Sequence, residues 1–253
     1  MGGTGVSSSP YESKPQDAWG KITKKLVEAH PLQLSDIRDL SCASWGELWQ
    51  TTIGAGDSAF LLAEINPPAQ VVGYLFEKLF LRNLMSRFPG EWRGPTGRTE
   101  KDLVFVPDIN FSIELKTSGQ LGRRVFGNRS YGQASTEREA KGKSGYYVTV
   151  NFYEKFLNLV RFGWIDHSDW RAQASQTGQM AGLGDEVYRH KLLIINGEYQ
   201  LQAPPSILRG VGPGMVIKLR EEGIATLADL LAYTGDKARI VAARLAALEF
   251  LGE

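Results

Sequence analysis

Cysteine, histidine and long hydrophobic runs are scarce in this chain, and each shortage argues against a class of function. Cys42 is the single cysteine among 253 residues, so no internal disulfide can form and a reducing compartment is expected. The three histidines do not join it in a zinc-binding cluster. No stretch is apolar over the length that a membrane span needs. These absences predict a soluble, cytoplasmic protein without a membrane partner.

A large excess of charge is also missing, because the net charge is only +1. A protein that coats nucleic acid through bulk positive charge is therefore excluded. The charge is uneven, however, since residues 116–143 hold seven Lys or Arg against two acids. Such a segment predicts contact with a phosphate backbone, and the alternative is a solvated loop.

The order of the expected elements predicts three parts. Residues 1–15 lack the apolar run of a signal peptide and are interpreted as a flexible tail. Residues 16–202 begin with helices and continue with strands between helices, which indicates an α/β (α+β) core with a mixed β-sheet flanked by helices. Residues 203–253 are interpreted as a small helical module.

The strongest helix signal runs from about Ala69 to Phe88, where apolar residues occupy almost every face and burial is expected. Glu77 interrupts this helix. It either lies beside a metal site or belongs to an exposed face with Lys78 and Arg82. Other expected elements are strands at 146–152 and 157–165, a short helix at 167–176, and a hairpin of 191–195 with 199–201.

The most informative stretch is 100–118, where charged residues interrupt two β-forming segments around a turn. A turn centred on Ile109 pairs Asp102 with Lys116, and Glu114 lies two residues before Lys116. Because side chains alternate between faces with period two, the two carboxylates and the ammonium share one face of the hairpin.

This trio suits hydrolysis of a phosphodiester. Mg²⁺ prefers oxygen ligands and is often held by one or two carboxylates with water and phosphate, so Asp102 and Glu114 are the predicted ligands. Lys116 would orient the attacking water or stabilise developing charge. Asp108 is less favoured as the first acid, because it lies at the turn tip, about 10 Å along the strand. The alternative is a solvated strand face with a weak salt pair.

The C-terminal part contains a glycine loop before an expected helix. Gly210, Gly212 and Gly214 are followed at 223–230 by Gly-Ile-Ala-Thr-Leu-Ala-Asp-Leu. The pattern resembles a helix-hairpin-helix module, in which loop N–H groups bind a DNA phosphate. The three glycines are therefore predicted DNA contacts, although such modules also serve as packing or dimer elements.

The arrangement of Asp102 with Glu114-x-Lys116 resembles the PD-(D/E)xK nuclease superfamily, and the chain is most similar to type II restriction endonucleases of the ScaI type. The resemblance is carried by residues 72–77, 100–118 and 126–133. It implies a restriction-endonuclease-like core, Mg²⁺ as cofactor, a homodimer in a bacterial or archaeal cytoplasm, and cleavage of double-stranded DNA within a short palindrome, with AGTACT as the candidate site. Glu77 is also included in the predicted catalytic group. Pro107-Asp108 departs from the superfamily pattern, which leaves the first acid open.

The resemblance gives the basic segment a role in DNA binding. Arg can pair with guanine, and Asn or Gln with adenine, but nothing in the sequence separates base contacts from phosphate contacts. The predicted contacts are Arg123, Arg124, Asn128, Arg129 and Gln133. Two other functions stay open: a structure-specific repair or junction-resolving nuclease of the same fold, and a non-catalytic DNA-binding protein.

Overall fold

The computed structural model describes residues 9–97, 99–128, 143–172 and 180–252. Helices α1 to α7 span Gln16–Glu28, Leu34–Trp49, Ala69–Arg87, Asp185–His190, Pro213–Glu221, Leu227–Ala232 and Ala238–Leu251. Strands β1 to β11 span Thr52–Ile53, Phe60–Leu61, Trp92–Arg93, Val104–Phe105, Ile113–Ser118, Phe126–Asn128, Gly145–Tyr153, Phe156–Ile165, Trp170–Ala172, Met180–Leu183 and Leu192–Ile194. Helices and several sheets make this a mixed α/β fold of the α+β kind.

The central sheet has the strand order β11–β8–β7–β5. Strand β5 runs parallel to β7, whereas β7–β8 and β8–β11 are antiparallel. Strand β7 is buried along almost its whole length, because both faces of the sheet are covered. Side chains on the face of β7 that carries Val148 pack into the main core with the N-terminal helices. Tyr147, on the opposite face, packs into a smaller cluster. The strands predicted at 146–152 and 157–165 are confirmed.

Helix α3 confirms the helix predicted over 69–88 but not its burial on every face. Phe76, Phe80 and Leu84 are fully buried in the main core. Tyr74, in contrast, is 60% exposed and Val71 is 43% exposed. The helix packs against α2, β3 and β5, and the apolar residues that point away from these elements face solvent.

The helix predicted at 167–176 is wrong where the structure describes it. A 3-10 turn at His167–Asp169 leads directly into strand β9. The reason is an ion cluster, in which the buried ammonium of Lys191 lies 2.8 Å from both Asp166 Oδ2 and Asp169 Oδ2. These contacts fix the turn, and residues 173–176 lie outside the described part of the chain.

The hairpin predicted from 191–195 and 199–201 is also wrong. Strand β11 pairs with β8, and Glu198–Gln202 forms a 3-10 helix. The Tyr199 hydroxyl donates to the Ile195 carbonyl at 2.6 Å and accepts from the Val160 N–H at 3.0 Å. The tyrosine therefore binds this turn to the neighbouring strand, and the segment does not return as a strand.

The two ends of the described chain are packed. Tyr11, within the tail predicted over 1–15, is only 4% exposed, and its hydroxyl lies 2.8 Å from Thr23 Oγ1. Tyr11 therefore packs against the folded part, whereas residues 12–15 are exposed, and the division at residue 15 stays a prediction. At the other end, residues 203–251 gather a core of their own, onto which Phe156 and Leu201 pack. The division at 203 remains a prediction.

Among the described residues, none of the helices combines the length and apolar character required to cross a bilayer.

His30 connects the N-terminal helices to the segment that precedes β5. The Leu32 N–H donates to His30 Nδ1 at 3.1 Å, so Nε2 carries the proton and donates to the Phe111 carbonyl at 3.0 Å. The ring is 2% exposed and touches Phe162 and Tyr146 edge to face. Burial lowers the pKa of His30 to about 4, because the imidazolium would be desolvated.

This depressed pKa predicts acid sensitivity. His30 contributes stability that is fully present above its unfolded pKa, about 6.5, and lost as the pH falls through about 4. The loss is on the order of 3 kcal/mol, from about 1.4 kcal/mol per pKa unit. Denaturant unfolding should show the free-energy difference between wild type and His30→Gln shrinking from pH 7 to pH 4.5. His190→Gln is the control, and a difference independent of pH would contradict the assignment.

Candidate active site

The candidate site is built on β5, the edge strand of the central sheet. The segment before it approaches through one antiparallel bridge, in which Leu103 and Ile113 exchange both N–H···O bonds at 2.8 and 3.0 Å. The predicted pairing of Asp102 with Lys116 is therefore wrong by two residues. Strand β4 pairs with β3 instead, and a 3-10 turn at Ile109–Phe111 takes up the intervening chain. A shift of two residues leaves each side chain on its predicted face.

Asp102 and Glu114 meet Lys116 at this edge, as the period-two argument predicted. Asp102 Oδ2 accepts from the Leu115 N–H at 2.8 Å, which fixes the carboxylate against the strand. Lys116 Nζ donates to Glu114 Oε1 at 2.6 Å. The side chains of Glu114 and Lys116 are 12% and 19% exposed, so this is a semi-buried charged site and not a solvated strand face.

The electrostatics of the site reflect burial and crowding of like charge. Burial raises the pKa of Asp102 to about 6, and the negative charge of Glu114 adds to the shift while Lys116 opposes it. Burial disfavours the Lys116 ammonium, but Glu114 and Asp102 outweigh it, so the pKa of Lys116 is raised. The site thus holds two carboxylates whose charges repel each other and a lysine that stays protonated.

Glu77 approaches the same site from helix α3. Its negative charge contributes to the raised pKa of Asp102, and its carboxylate accepts from Lys78 at 2.6 Å. Glu77 thus lies near Asp102 and also pairs with Lys78, and its place beside a metal site remains a prediction. Gly73, one turn earlier, allows this approach: a Cβ there would lie 2.2 Å from Thr117 Oγ1.

The donor set fits a hard divalent cation only in part. Two crowded carboxylates, with the remaining positions left to water and phosphate, are ligands that Mg²⁺ accepts. In the described ranges, no group of three or more Asp, Glu, His or Cys is arranged to hold a metal ion. Asp102 and Glu114 are thus the residues that would hold the ion, with Glu77 outside its immediate ligands.

Asp108 is separate from this group. Its carboxylate accepts from the Asn110 N–H at 3.0 Å and caps the 3-10 turn. The residue is exposed, as expected for a turn tip. This local role explains the aspartate without a catalytic function.

Lys101 is a further charged residue of the site, which the sequence pattern does not indicate. Its Nζ lies 3.9 Å from Glu114 Oε2 and 4.7 Å from the centroid of the Tyr147 ring. Strand alternation would turn Lys101 and Asp102 to opposite faces, but residues 101 and 102 precede the regular strand. The only sequence signal was the adjacent run Glu-Lys-Asp at 100–102.

Comparisons with known proteins identify the family. The family model described as ScaI restriction endonuclease matches residues 9–196. The type II restriction enzyme ScaI of Streptomyces caespitosus is 38% identical over 200 residues, which cover 76% of this chain and 86% of that enzyme. The chain belongs to the ScaI restriction endonuclease family. No solved structure matches it.

Of the predicted DNA contacts in this family member, Arg123 is engaged inside the protein. Its Nη2 donates to the Phe250 carbonyl at 3.0 Å, and its guanidinium lies 4.7 Å from the centroid of the Phe250 ring. Arg161 Nη2 also donates to the Arg123 carbonyl at 2.7 Å. Arg123 therefore joins the end of α7 to the segment after β5, which argues against the predicted DNA contact.

The structure describes the other predicted DNA contacts only in part. Arg124 is 58% exposed on its side chain and pairs with Asp185 at 3.0 Å. Asn128 ends strand β6, but its side chain is outside the described part, as are Arg129 and Gln133 altogether. Their roles remain predictions.

The C-terminal module lies beyond the residues that match the family. Gly212 precedes helix α5, Gly210 has a φ of +87° that favours glycine, and α5 and α6 are joined by a short turn. Beside the glycine loop is a groove of about 520 Å³. Its lining includes Gly210, Gly214 and three cationic residues, Arg209, Lys218 and Arg239.

The close approach of Gly73 to Thr117 can be tested by substitution. Gly73→Ala should destabilise the protein by roughly 1–3 kcal/mol, because the new methyl group overlaps Thr117 Oγ1. Gly46→Ala is the matched control, since nothing lies within 4 Å and an exposed helical Ala should stabilise by about 0.5–1 kcal/mol. Denaturant unfolding measures both. Adding Thr117→Ala should restore stability to Gly73→Ala, and a strictly additive double variant would refute the proposed overlap.

Proposed function

We propose that this member of the ScaI restriction endonuclease family is a PD-(D/E)xK nuclease that uses Mg²⁺ to hydrolyse double-stranded DNA within a short palindrome. The observation that carries the proposal is the convergence of Asp102, Glu114 and Lys116 on one semi-buried edge of β5. The relative's name supports type II restriction activity. The resemblance makes AGTACT the first sequence to test. A homodimer would match two-fold protein symmetry to a two-fold DNA site.

The residues divide the chemistry between them. Asp102 and Glu114 would hold the metal ion, with Asp102 kept in position by the Leu115 N–H. When bound, Mg²⁺ supplies polarisation of the scissile phosphate and a water of lowered pKa. Lys116, whose pKa is raised, stays protonated and would stabilise the negative charge that develops on the phosphate. The low exposure of the site strengthens these interactions.

The C-terminal module would add phosphate contacts outside the cleavage site. The groove beside Gly210 and Gly214 is lined by Arg209, Lys218 and Arg239, and their charge suits a phosphate backbone. Backbone N–H groups at the start of α5, after Gly212, would bind a phosphate in the manner of a helix-hairpin-helix module.

Cleavage of a sequenced plasmid with Mg²⁺ tests the function. Discrete fragments whose ends share one short palindrome are expected. Cutting confined to branched or damaged DNA would favour a repair or junction-resolving nuclease. Binding without cutting at any Mg²⁺ concentration would favour a non-catalytic DNA-binding protein.

Single substitutions test the assigned residues. Asp102→Ala, Glu114→Ala and Lys116→Ala should each lower the single-turnover cleavage rate by about 10³-fold or more, because each removes a metal ligand or the charge-stabilising amine. Binding to cognate DNA in Ca²⁺ should survive in at least some of them. Asp108→Ala is the control and should cut at the wild-type rate. An active Asp102→Ala with an inactive Asp108→Ala would reverse the choice of first acid.

The groove predicts the salt dependence of binding. Replacing Arg209, Lys218 and Arg239 together by Ala should reduce the slope of log K against log salt by about 2–3, near 0.9 for each phosphate that is no longer neutralised. Fluorescence anisotropy with Ca²⁺ and a cognate duplex measures the slope. The control with the same change in net charge replaces Lys21, Lys24 and Lys25 of α1. Equal slopes for the two triple variants would assign the module to packing.

A further inference from the structure

Lys101 lies in the proposed active site, and the chemistry described above gives it no task. Its side chain is 12% exposed, and its Nζ is 3.9 Å from Glu114 Oε2. The other oxygen of the same carboxylate, Oε1, accepts from Lys116 at 2.6 Å. Glu114 is thus placed between two ammonium groups, one beside each oxygen.

The surroundings confine Lys101 without satisfying its hydrogen bonds. Its Nζ lies 4.7 Å from the centroid of the Tyr147 ring, and its Cε passes 3.3 Å from where a Cβ on Gly145 would be. Among the described residues, the buried Nζ has no hydrogen-bond acceptor. A buried ammonium in this state is unfavourable unless negative charge is close. Glu114 supplies that charge.

The charges around Glu114 offset one another. Electrostatic effects connect three carboxylates and three amines across the site, Asp102, Glu114 and Glu77 with Lys101, Lys116 and Lys78. Within the part of the chain that the structure describes, the formal charges of these six groups sum to zero. A divalent cation that binds Glu114 therefore meets positive charge at this edge, and the nearby Lys101 repels it directly.

We propose that Lys101 is a positioning residue that competes with the divalent metal ion for Glu114 and so weakens metal binding in the DNA-free protein. This rests on the proposed function, because it takes Glu114 as a metal ligand. Of the two lysines, Lys101 is the one beside the Glu114 oxygen that does not accept from Lys116, and Lys101 makes no hydrogen bond to that carboxylate. Its effect on this oxygen is therefore electrostatic and does not depend on a fixed bond.

Mn²⁺ binding to the DNA-free, full-length protein tests the proposal, with the EPR signal of free Mn²⁺ as the readout. Lys101→Met removes the charge and keeps an apolar stem, so it should bind Mn²⁺ about tenfold more tightly or better. Lys101→Arg keeps the charge and should bind as wild type does. Lys24→Met, which removes a charge from the exposed face of α1, should also leave the affinity unchanged. Affinity of Lys101→Met within twofold of wild type, or weaker, would overturn the proposal.

Two further measurements separate this inference from the proposed function. If Glu114→Gln binds Mn²⁺ as wild type does, Glu114 is not a ligand and the proposed metal site fails. If Glu114→Gln loses binding while Lys101→Met is unchanged, only the role of Lys101 fails. Thermal unfolding without metal should show Lys101→Met folded near the wild-type midpoint. Should that variant not fold, Lys101→Gln carries the same expectation for Mn²⁺ affinity and the same refutation.

Discussion

The hydrogen bond from the Leu115 N–H to Asp102 Oδ2 is the interaction on which the site depends. The ladder on the outer edge of β5 ends after the bridge between Leu103 and Ile113, and the Asp102 carboxylate accepts from the backbone N–H that follows. A side chain thus satisfies a donor that would otherwise offer itself to another strand. The same bond holds Asp102 on the strand that carries Glu114, so two carboxylates are brought together where burial disfavours their charge. Lys116 and Lys101 place positive charge beside these carboxylates.

The sequence predicted the members of this site but not the way they are held. Period-two alternation placed Asp102, Glu114 and Lys116 on one face, and it did so despite a register error, because an error of two residues preserves facing. The length of a β-ladder depends on which strands compete for the same backbone groups. Strand β4 pairs with β3, so the predicted hairpin ends early, and no local pattern in 100–118 predicts this pairing. Alternation also gives no information on Lys101, because residues 101 and 102 precede the regular strand.

Arg123 shows a second limit of reading charge from sequence. A basic residue in a polar segment predicts a phosphate contact, yet this guanidinium stacks on Phe250 and binds the last turn of α7, where carbonyl groups attract positive charge. The contact joins a residue inside the range that matches the ScaI family to a helix beyond that range. The C-terminal helices are therefore connected to the segment that follows β5. The position of that segment depends on tertiary packing, which cannot be predicted from composition.

Folding and catalysis place opposite demands on Glu114. During folding, a semi-buried carboxylate beside a second carboxylate is unfavourable unless positive charge accompanies it. Lys116 provides that charge through its hydrogen bond to Glu114, and Lys101 adds a second positive charge 3.9 Å from the other oxygen. For the proposed hydrolysis, however, the same carboxylate must accept a divalent cation, and both ammonium groups oppose that step. The two lysines differ in what metal binding would cost them. Lys116 would lose a hydrogen bond to Glu114 as well as an electrostatic partner, whereas Lys101 makes no hydrogen bond to that carboxylate and would lose only the electrostatic partner.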